Sequence, residues 1–245
     1  MKRALVTGSA AGLGRALAKR LLAEGWHVYG VDRNTAGGTT RAYEHALCDL
    51  SDEHAVDGLL ADLGAQPPFD LVILAAGISA TGRFERIPAN AHSHVLAVNA
   101  AAPLVVADAM LDGMIVPRGR LVLVGSLASD VGYPGAASYA ASKSALVIYA
   151  RSIAKRAKAR DVTVLAVLPG PIRTDHAAHH APPGARADRR MAPDDLARRI
   201  LSAKGRALRP GVGARFGGLL GRLAPGLSAR LVRRALFSKL DREVW

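Results

Sequence analysis

The segment ALVTGSAAGLGRALAKRLL, near the start of the chain, joins an apolar run, a glycine-rich turn and an amphipathic stretch with helical spacing. Gly8 lets the chain leave the strand sharply, Gly12 lets the backbone approach a pyrophosphate, and Gly14 lets the helix pack closely on the strand. The helix start presents free N–H groups and a positive dipole end to the anion. This order of strand, turn and helix predicts a dinucleotide site at the beginning of a parallel α/β sheet.

Short apolar runs alternate with helical patterns along almost the whole chain, as in a parallel sheet with helices on both faces. Strands are predicted at residues 3–8, 27–32, 44–50, 70–77, 119–126 and 162–170. Helices are predicted near 13–25, 52–64, 90–114, 136–159 and 193–203. The strands are Val, Leu and Ile runs without alternation, as expected when both faces are covered. We therefore predict a single-domain, Rossmann-like α/β fold with a doubly wound parallel sheet.

Length and composition are typical of a globular protein. Half of the 245 residues are hydrophobic, which is enough to build a substantial core. We expect no membrane-spanning helix, because no uncharged apolar run reaches 18 residues. We also expect no signal peptide, because the basic start leads directly into a strand. Cys48 is the only cysteine and is interpreted as a packing residue, which fits a reducing cytoplasm.

The positive charge is concentrated towards the end of the chain. Residues 1–185 hold 18 Lys/Arg against 15 Asp/Glu, whereas residues 186–245 hold 15 against 5. Charge alone would suit a nucleic-acid-binding protein, but only 4% of the residues are aromatic and no binding signature is present. We therefore predict no nucleic-acid partner.

Asp32 ends the second predicted strand, 18 residues after Gly14. An acid at this point accepts hydrogen bonds from the adenosine ribose and repels a 2′-phosphate, which favours NAD. Arg33 follows directly and could attract that phosphate, so NADP stays open as an alternative cofactor. The competing interpretation of Asp32 is a turn residue ahead of Asn34.

Six motifs, in order from residue 3 to about 175, make the chain resemble the short-chain dehydrogenase/reductase family in its compact form. They are TGSAAGLG, CDLS, LAVNAA, VLVGSLAS, YAASK and LPGPIRT. The spacing agrees as well, with 13 residues from Ser126 to Tyr139.

The resemblance implies a catalytic set and a cofactor site. The catalytic residues would be Asn99, Ser126, Tyr139 and Lys143. The nicotinamide cofactor would contact Gly8, Ser9, Ala11, Gly12, Leu13, Gly14, Asp32, Arg33, Asp49, Leu50, Ala75, Ala76, Gly77, Tyr139, Lys143, Pro169, Gly170, Ile172 and Thr174. Asp49 and Leu50 would lie near the adenine, and the Pro-Gly stretch ending at Thr174 would close over the nicotinamide.

Tyr139 and Lys143 are four residues apart and share one helix face. A phenol can give a proton to a carbonyl oxygen being reduced, or take one from an alcohol being oxidised. The ammonium of Lys143 and an oxidised nicotinamide both favour the phenolate, so we expect a lowered pKa for Tyr139. Lys143 would also hold the ribose, Ser126 would polarise the substrate oxygen, and Asn99 would order a water that relays protons.

Two departures from the family pattern stand out. LAAG at 74–77 replaces a motif with two asparagines, which removes side-chain hydrogen bonds near the cofactor. GRALRPGVGARFGG replaces the usual last strand, so the end of the chain cannot be copied from the family.

Residues 174–192 are expected to form a mobile substrate lid. His176, His179 and His180 in this segment lack Cys or Glu partners, so no metal site is predicted.

Residues 211–245 are interpreted as a basic amphipathic extension of the domain spanning 1–210. Apolar residues recur with helical spacing at Phe216, Leu219, Leu220, Leu223, Leu227, Leu231, Val232 and Leu236. We favour packing of this extension onto the domain or a neighbouring subunit. Docking on an anionic membrane, as a peripheral contact, or enclosure of an apolar substrate remains open.

The function that these features favour is an NAD(H)-dependent alcohol dehydrogenase or carbonyl reductase acting on a small molecule, and we expect it to be a dimer or tetramer. The alternative is a catalytically idle dinucleotide-binding module used for regulation or association. Such a module would have no need of all four catalytic residues. A nucleotide-sugar epimerase is a third hypothesis, but the chain lacks room for the larger substrate domain of that family.

Overall fold

The computed structural model describes residues 1–36, 40–181, 185–236 and 243–245. One parallel sheet contains seven strands in the order β3-β2-β1-β4-β5-β6-β7. The strands are β1 (Arg3–Thr7), β2 (His27–Asp32), β3 (Tyr43–Leu47), β4 (Phe69–Leu74), β5 (Ile115–Val124), β6 (Thr163–Val167) and β7 (Ala207–Leu208). The helices are α1 (Gly12–Ala23), α2 (Glu53–Gly64), α3 (Ala89–Leu96), α4 (Ala102–Ala109), α5 (Ala137–Ser152), α6 (Ala154–Ala159), α7 (Asp175–His179), α8 (Pro193–Ser202), α9 (Val212–Leu223) and α10 (Pro225–Leu236).

The sheet is covered on both faces, and each face has its own apolar core. Val and Leu side chains of the strands pack on one face against α2, α4 and α5, and on the other against α1 and α8. The strand order reverses between β1 and β4, and in such sheets ligands bind beyond the carboxyl ends of the strands at that point. The predicted doubly wound, Rossmann-like fold is confirmed.

The central helical run Ala89–Met114 contains α3, a π-helical turn at Ala97–Ala101, α4 and a second π-helical turn at Met110–Met114, within which Gly113 is non-helical. Among the described residues it is the one run long and apolar enough to cross a membrane, with 26 residues and a mean hydropathy of 1.6. Half of its most apolar 18-residue stretch is buried inside the domain, as is usual for a core helix. Its first π-helical turn carries Asn99 into the interior.

Several predicted boundaries are wrong. The helix predicted over 136–159 is two helices, α5 and α6, because the chain changes direction at Ile153. β5 begins at Ile115 instead of residue 119, because its register on β4 shifts between Phe69 and Leu71 and Arg118 adopts a positive φ of 65°. The strands predicted at 70–77 and 162–170 end earlier, and β3 is shifted to Tyr43–Leu47. β7 and α7 were not predicted.

The segment after β7 is anchored to the loop that follows β5. Arg209 donates from Nε and Nη2 to Oδ2 of Asp130 at 3.1 and 2.9 Å, and the Asp130 side chain is only 5% exposed. A Cβ at Gly218 would lie 2.9 Å from that same Oδ2. A Cβ at Gly221 would overlap the Asp130 carbonyl oxygen. α9 therefore lies against the backbone of this loop through its glycines.

The apolar side chains of this segment do not follow the packing prediction. Phe216, Leu219 and Leu223 are 72%, 55% and 76% exposed, and Leu227 and Leu231 are about half exposed. These side chains do not pack onto the domain, because the glycines and small residues on the other side of α9 and α10 make the contact. The other half of the prediction, packing on a neighbouring subunit, stays a prediction. The side chain of Leu236, together with 237–242 and 182–184 of the predicted extension and lid, lies outside the described residues.

Candidate active site

The glycine turn after β1 brings the start of α1 against the end of β4. Gly8 and Gly12 have positive φ angles of 73° and 49°. A Cβ at Gly8 would lie 3.0 Å from Cα of Ala76, and a Cβ at Gly14 would overlap the carbonyl oxygen of Gly8. The close packing predicted for Gly14 is therefore present in the structure.

The start of α1 has the features of an anion site. Ala11 is the N-cap residue and offers no side-chain acceptor, and the first turn contains no acid. The N–H groups at such an end point outward with the positive end of the helix dipole. The predicted contacts Ser9, Ala11, Gly12 and Leu13 all belong to this turn. A pyrophosphate fits here.

Thr7, at the end of β1, holds the loop after β4. Its Oγ1 accepts hydrogen bonds from the backbone N–H groups of Ala75 and Ala76 at 3.0 and 3.1 Å. These bonds fix the LAAG segment, in which the asparagines of the family pattern are missing. This role of Thr7 was not predicted, because a threonine at a strand end does not indicate which distant loop it contacts.

The Asp32 carboxylate lies between the glycine turn and the loop after β2. It accepts hydrogen bonds from the N–H groups of Ala10 and Asn34, both at 3.0 Å. A carboxylate has about four lone-pair sites, so acceptor capacity remains for ribose hydroxyls. The turn and ribose interpretations of Asp32 are thus compatible. Arg33 beside it is exposed.

Asp49 and Leu50 follow β3 and lie close to Asp32, because the N–H of Cys48 donates to the Asp32 carbonyl at 3.0 Å. Hydrogen bonds from the Ser51 backbone and hydroxyl lower the pKa of Asp49, and the charge of Arg33 acts in the same direction. The adenosine end of the predicted site is therefore assembled in one place.

Tyr139 lies in the first turn of α5, facing the end of β5. Ser126 lies beside its phenol, close enough for hydrogen bonding between the two hydroxyls to act on the pKa of Tyr139. Burial raises the pKa of Tyr139, the Ser126 hydrogen bond lowers it, and the neighbouring Tyr133 raises it, with a net upward shift. In the protein alone the pKa of Tyr139 is therefore raised, not lowered, because loss of solvation outweighs the favourable contacts. The expected lowering by a bound oxidised nicotinamide stays a prediction.

Lys143 is 3% exposed and lies one turn after Tyr139. Its ammonium donates to the carbonyl oxygens of Val124 at 3.0 Å and Ala76 at 3.5 Å. Burial lowers the pKa of Lys143 to about 8, so the amine is still mostly charged at neutral pH. A Cβ at Gly77 would lie 2.8 Å from Nζ, so Gly77 leaves the space that this cation occupies.

We expect the free energy of unfolding to rise between pH 8 and about pH 10. Lys143 has a folded pKa of about 8 against an ordinary 10.5, so the unfolded chain binds more protons in this window. The penalty of burying the cation is constant below pH 8 and is relieved above it. The rise is up to a few kcal/mol. Urea unfolding at both ends of the window measures it.

Lys143→Met supplies the control for this prediction, because its unfolding free energy should lose that part of the pH dependence. An equal rise in the parent and the variant would show that other groups cause it. Above pH 10 the buried tyrosines act in the opposite direction, since burial raises the pKa of Tyr133 and Tyr139.

Asn99 is fully buried and joins the loop after β4 to α5. Its Oδ1 accepts from the N–H of Ile78 at 2.8 Å, and its Nδ2 donates to the carbonyl oxygen of Ile78 at 2.8 Å and to Oγ of Ser142 at 3.1 Å. Ser142 in turn donates to the carbonyl oxygen of Tyr139. Asn99 therefore holds the backbone around Tyr139 and Gly77, and one lone pair on Oδ1 remains for a water.

The Pro-Gly stretch after β6 meets both ends of the site. The carbonyl oxygen of Pro169 accepts from the N–H of Leu127, the residue after Ser126, at 2.8 Å. A Cβ at Gly12 would lie 3.1 Å from the methyl group of Thr174. Gly170 and Ile172 connect these two contacts. These contacts bring the Pro-Gly stretch against the loop after β5 and the glycine turn after β1, and we call the region between these segments and the loop after β4 the cleft.

α7 places the histidines of the predicted lid beside this cleft. Burial lowers the pKa of His176, and the charges of His179, Lys143 and Arg33 act in the same direction. His180 approaches the Thr81 hydroxyl at 3.2 Å, and burial lowers its pKa to about 4. Among the residues that the structure describes, no group of three or more His, Cys, Asp or Glu side chains could hold a metal ion.

Comparison with known proteins agrees with this geometry. A family model described as short chain dehydrogenase matches residues 2–183. Two curated relatives are 3-oxoacyl-(acyl-carrier-protein) reductases. The one from Haemophilus influenzae is 31% identical over 182 residues, covering 71% of this chain and 75% of the relative. The one from Mycobacterium tuberculosis is 33% identical over 173 residues, covering 70% and 69%.

Solved structures share the fold. A short chain dehydrogenase family protein from Francisella tularensis matches with a TM-score of 0.78 at 21% identity, covering 88% of this chain and 99% of that one. 4-Hydroxyisoleucine dehydrogenase complexed with NADH matches at 0.72 and 24%, covering 85% and 96%. BdcA in complex with NADPH matches at 0.69 and 25%, covering 82% and 85%.

The fold and the cleft define a nucleotide-binding oxidoreductase of the α/β class. The chain belongs to the short-chain dehydrogenase/reductase family. The family match ends at residue 183, so the segment from β7 onward lies outside it.

Proposed function

We propose that the protein interconverts a secondary alcohol and a ketone by hydride transfer with a nicotinamide cofactor. The observation that carries this proposal is the convergence of Ser126, Tyr139 and Lys143 beside the glycine turn. The cofactor, when bound, supplies or accepts the hydride. The curated relatives named 3-oxoacyl-(acyl-carrier-protein) reductase support a carbonyl group as the oxidised form of the substrate.

In this proposal the residues of the chain handle the proton. Tyr139 donates the phenolic proton to the substrate oxygen in reduction and takes it back in oxidation. Ser126 orients that oxygen through a hydrogen bond. The ammonium of Lys143 stabilises the phenolate and holds the ribose, and the fixed backbone at Ala76 and Gly77 keeps it in place. Asn99 orders the water through which protons reach Lys143.

The raised pKa of Tyr139 favours reduction in this proposal. A phenol that keeps its proton at neutral pH is ready to act as an acid. Oxidation requires the phenolate, which the charge of a bound oxidised nicotinamide favours. We therefore expect reduction to be fast near neutrality and oxidation to accelerate as the pH rises.

Screening cofactor oxidation and reduction against a panel of ketones and secondary alcohols tests the proposal. Turnover of at least one ketone, lost when Ser126 is replaced by Ala, supports it. Cofactor binding with no turnover of any member would favour the idle module instead.

We further propose that NAD(H) binds more tightly than NADP(H), because the Asp32 carboxylate would repel a 2′-phosphate. Asp32→Asn removes the charge while keeping an acceptor for a backbone N–H. The ratio of the NADP(H) dissociation constant to the NAD(H) dissociation constant should therefore fall about tenfold or more. Calorimetry with both cofactors measures this, and Arg33→Ala is the matched variant that should widen the preference. Tighter NADP(H) binding by the parent would contradict the assignment.

We also propose that the protein is a homo-oligomer, and that it is cytoplasmic because its single cysteine suits a reducing compartment. The outer surface of α3, α4 and α5 carries exposed apolar side chains, which support an interface between subunits there. These residues are Leu96, Val105 and Ile148. Sedimentation analysis tests this expectation.

A further inference from the structure

The exposed side of α9 and α10 has a regular apolar composition. At 100° per residue, Phe216, Leu219, Leu220 and Leu223 fall within about 100° of one another on α9. Gly217, Gly218 and Gly221 fall on the opposite side. We call the surface formed by Phe216, Leu219, Leu220, Leu223, Leu227 and Leu231 the apolar face.

The position of the apolar face is fixed by contacts on the other side of the two helices. The glycines of α9 lie against Leu127, Asp130 and Val131. On α10, Ser228 is buried, and the Cβ of Ala229 lies 3.7 Å from the position of a Cβ at Gly132. The helices therefore cannot turn the apolar face inward without losing these contacts.

The charge of the two helices has one sign. Residues 212–236, which form α9 and α10, contain five Arg and no Asp or Glu. On α10, Arg230 and Arg234 are exposed and lie beside Leu227 and Leu231, all four within about 100° of one another. An apolar surface bordered by cations is complementary to a lipid bilayer with anionic headgroups, where leucines enter the acyl boundary and arginines remain at the phosphates.

The alternatives fit this surface less well. A second copy of the chain would bring the same cations together across a two-fold interface, where like charges repel. A nucleic acid would match the charge but would leave the row of leucines without partners. We propose that α9 and α10 form a docking surface for an anionic membrane, with the apolar face entering the interface. This inference goes beyond the proposed function and does not depend on it.

Co-sedimentation of the full chain with lipid vesicles tests the proposal. Vesicles that contain phosphatidylglycerol should bind the protein, and vesicles of phosphatidylcholine alone should bind it at least about tenfold less, since the cations contribute about five-fold each near an anionic surface. Raising the salt from about 0.1 M to about 1 M should release it, because screening shortens from about 10 to about 3 Å.

Two double variants separate the apolar and electrostatic contributions. Phe216→Ser with Leu223→Ser should lower binding more than about tenfold, because two apolar side chains no longer leave water. Arg230→Gln with Arg234→Gln should lower binding to the anionic vesicles about twenty-fold or more. All four side chains are exposed, so melting temperature and NADH affinity should stay at the parent values.

Matched controls carry the same changes elsewhere. Leu47→Ser replaces an exposed leucine on β3, and Arg41→Gln with Lys158→Gln removes two exposed cations away from α9 and α10. These variants should bind vesicles like the parent. Equal binding to neutral and anionic vesicles, or equal loss in the controls, would overturn the proposal. A dimer that the Phe216→Ser/Leu223→Ser variant dissociates, without vesicle binding by the parent, would assign the apolar face to a second copy instead.

Discussion

Replacing Tyr139 with Phe should lower turnover by about 10²–10⁴-fold while leaving NADH binding nearly unchanged. General acid–base catalysis by a positioned side chain contributes a factor of this size. The variant removes one oxygen, keeps the ring in α5 and leaves the ammonium of Lys143 on its two backbone carbonyls. The effect should therefore appear in kcat, with a cofactor dissociation constant close to that of the parent. Turnover of an active ketone and calorimetry with NADH are the two measurements.

Tyr133 is the matched control for this experiment. It is a neighbouring, partly buried phenol whose pKa is also raised by burial, but Ser126 acts on the pKa of Tyr139 and not on that of Tyr133. Tyr133→Phe should keep turnover within a few-fold of the parent. If Tyr139→Phe kept its turnover as well, another acid would have to supply the proton. If both variants lost it, the loss would reflect packing around the cleft.

Replacing Gly14 with Ala should disrupt the cofactor site and the fold together. The new Cβ would overlap the Gly8 carbonyl oxygen, which belongs to the backbone and cannot rotate away. Relief requires α1 to move off β1, so the N–H groups of the turn lose their alignment. We expect a loss of about 1–3 kcal/mol in the free energy of unfolding and NADH binding weakened more than about tenfold. Urea unfolding and calorimetry measure the two effects.

Gly58 in α2 provides the comparison, because no heavy atom lies within 4 Å of a Cβ built there. Gly58→Ala should raise the free energy of unfolding by about 0.5–1 kcal/mol through helix propensity alone, with NADH affinity unchanged. A Gly14→Ala protein that bound NADH like the parent would mean that the turn tolerates a wider helix–strand spacing than the structure has.

The sequence was sufficient to predict features whose residues all lie within one short segment. Gly8, Gly12 and Gly14 act within one turn, and Tyr139 and Lys143 act within one helix, so their spacing carries the geometry. The strands were predictable because buried parallel strands are continuous apolar runs. Their ends were less predictable, because Arg118 and Ile153 mark changes of direction that depend on packing with distant residues.

Features that join distant segments were not predictable in the same way. The Thr7 hydroxyl accepts hydrogen bonds from Ala75 and Ala76, which lie 68 and 69 residues later in the sequence. No local sequence pattern predicts such a contact. The pKa of Tyr139 depends on how completely the surrounding chain removes water, which spacing does not show. The apolar spacing of α9 and α10 correctly indicated amphipathic helices. It did not show which side of the helices faces the domain. Gly218 and Gly221 face it, because they have no side chain and allow α9 to lie close to the loop after Ser126.

The contact of Thr7 with the loop after β4 has a thermodynamic consequence. The predicted cofactor site combines the glycine turn after β1 with the loop after β4, two segments about 70 residues apart. The complete site therefore exists only when β1 and β4 are paired in the sheet. An unfolded chain offers the cofactor no partial version of the site. Ligand at 100 times its dissociation constant therefore adds about 2.7 kcal/mol to the stability of the whole domain. Saturation with dinucleotide should therefore stabilise the whole sheet against unfolding. The rise in melting temperature with cofactor concentration should report the affinity.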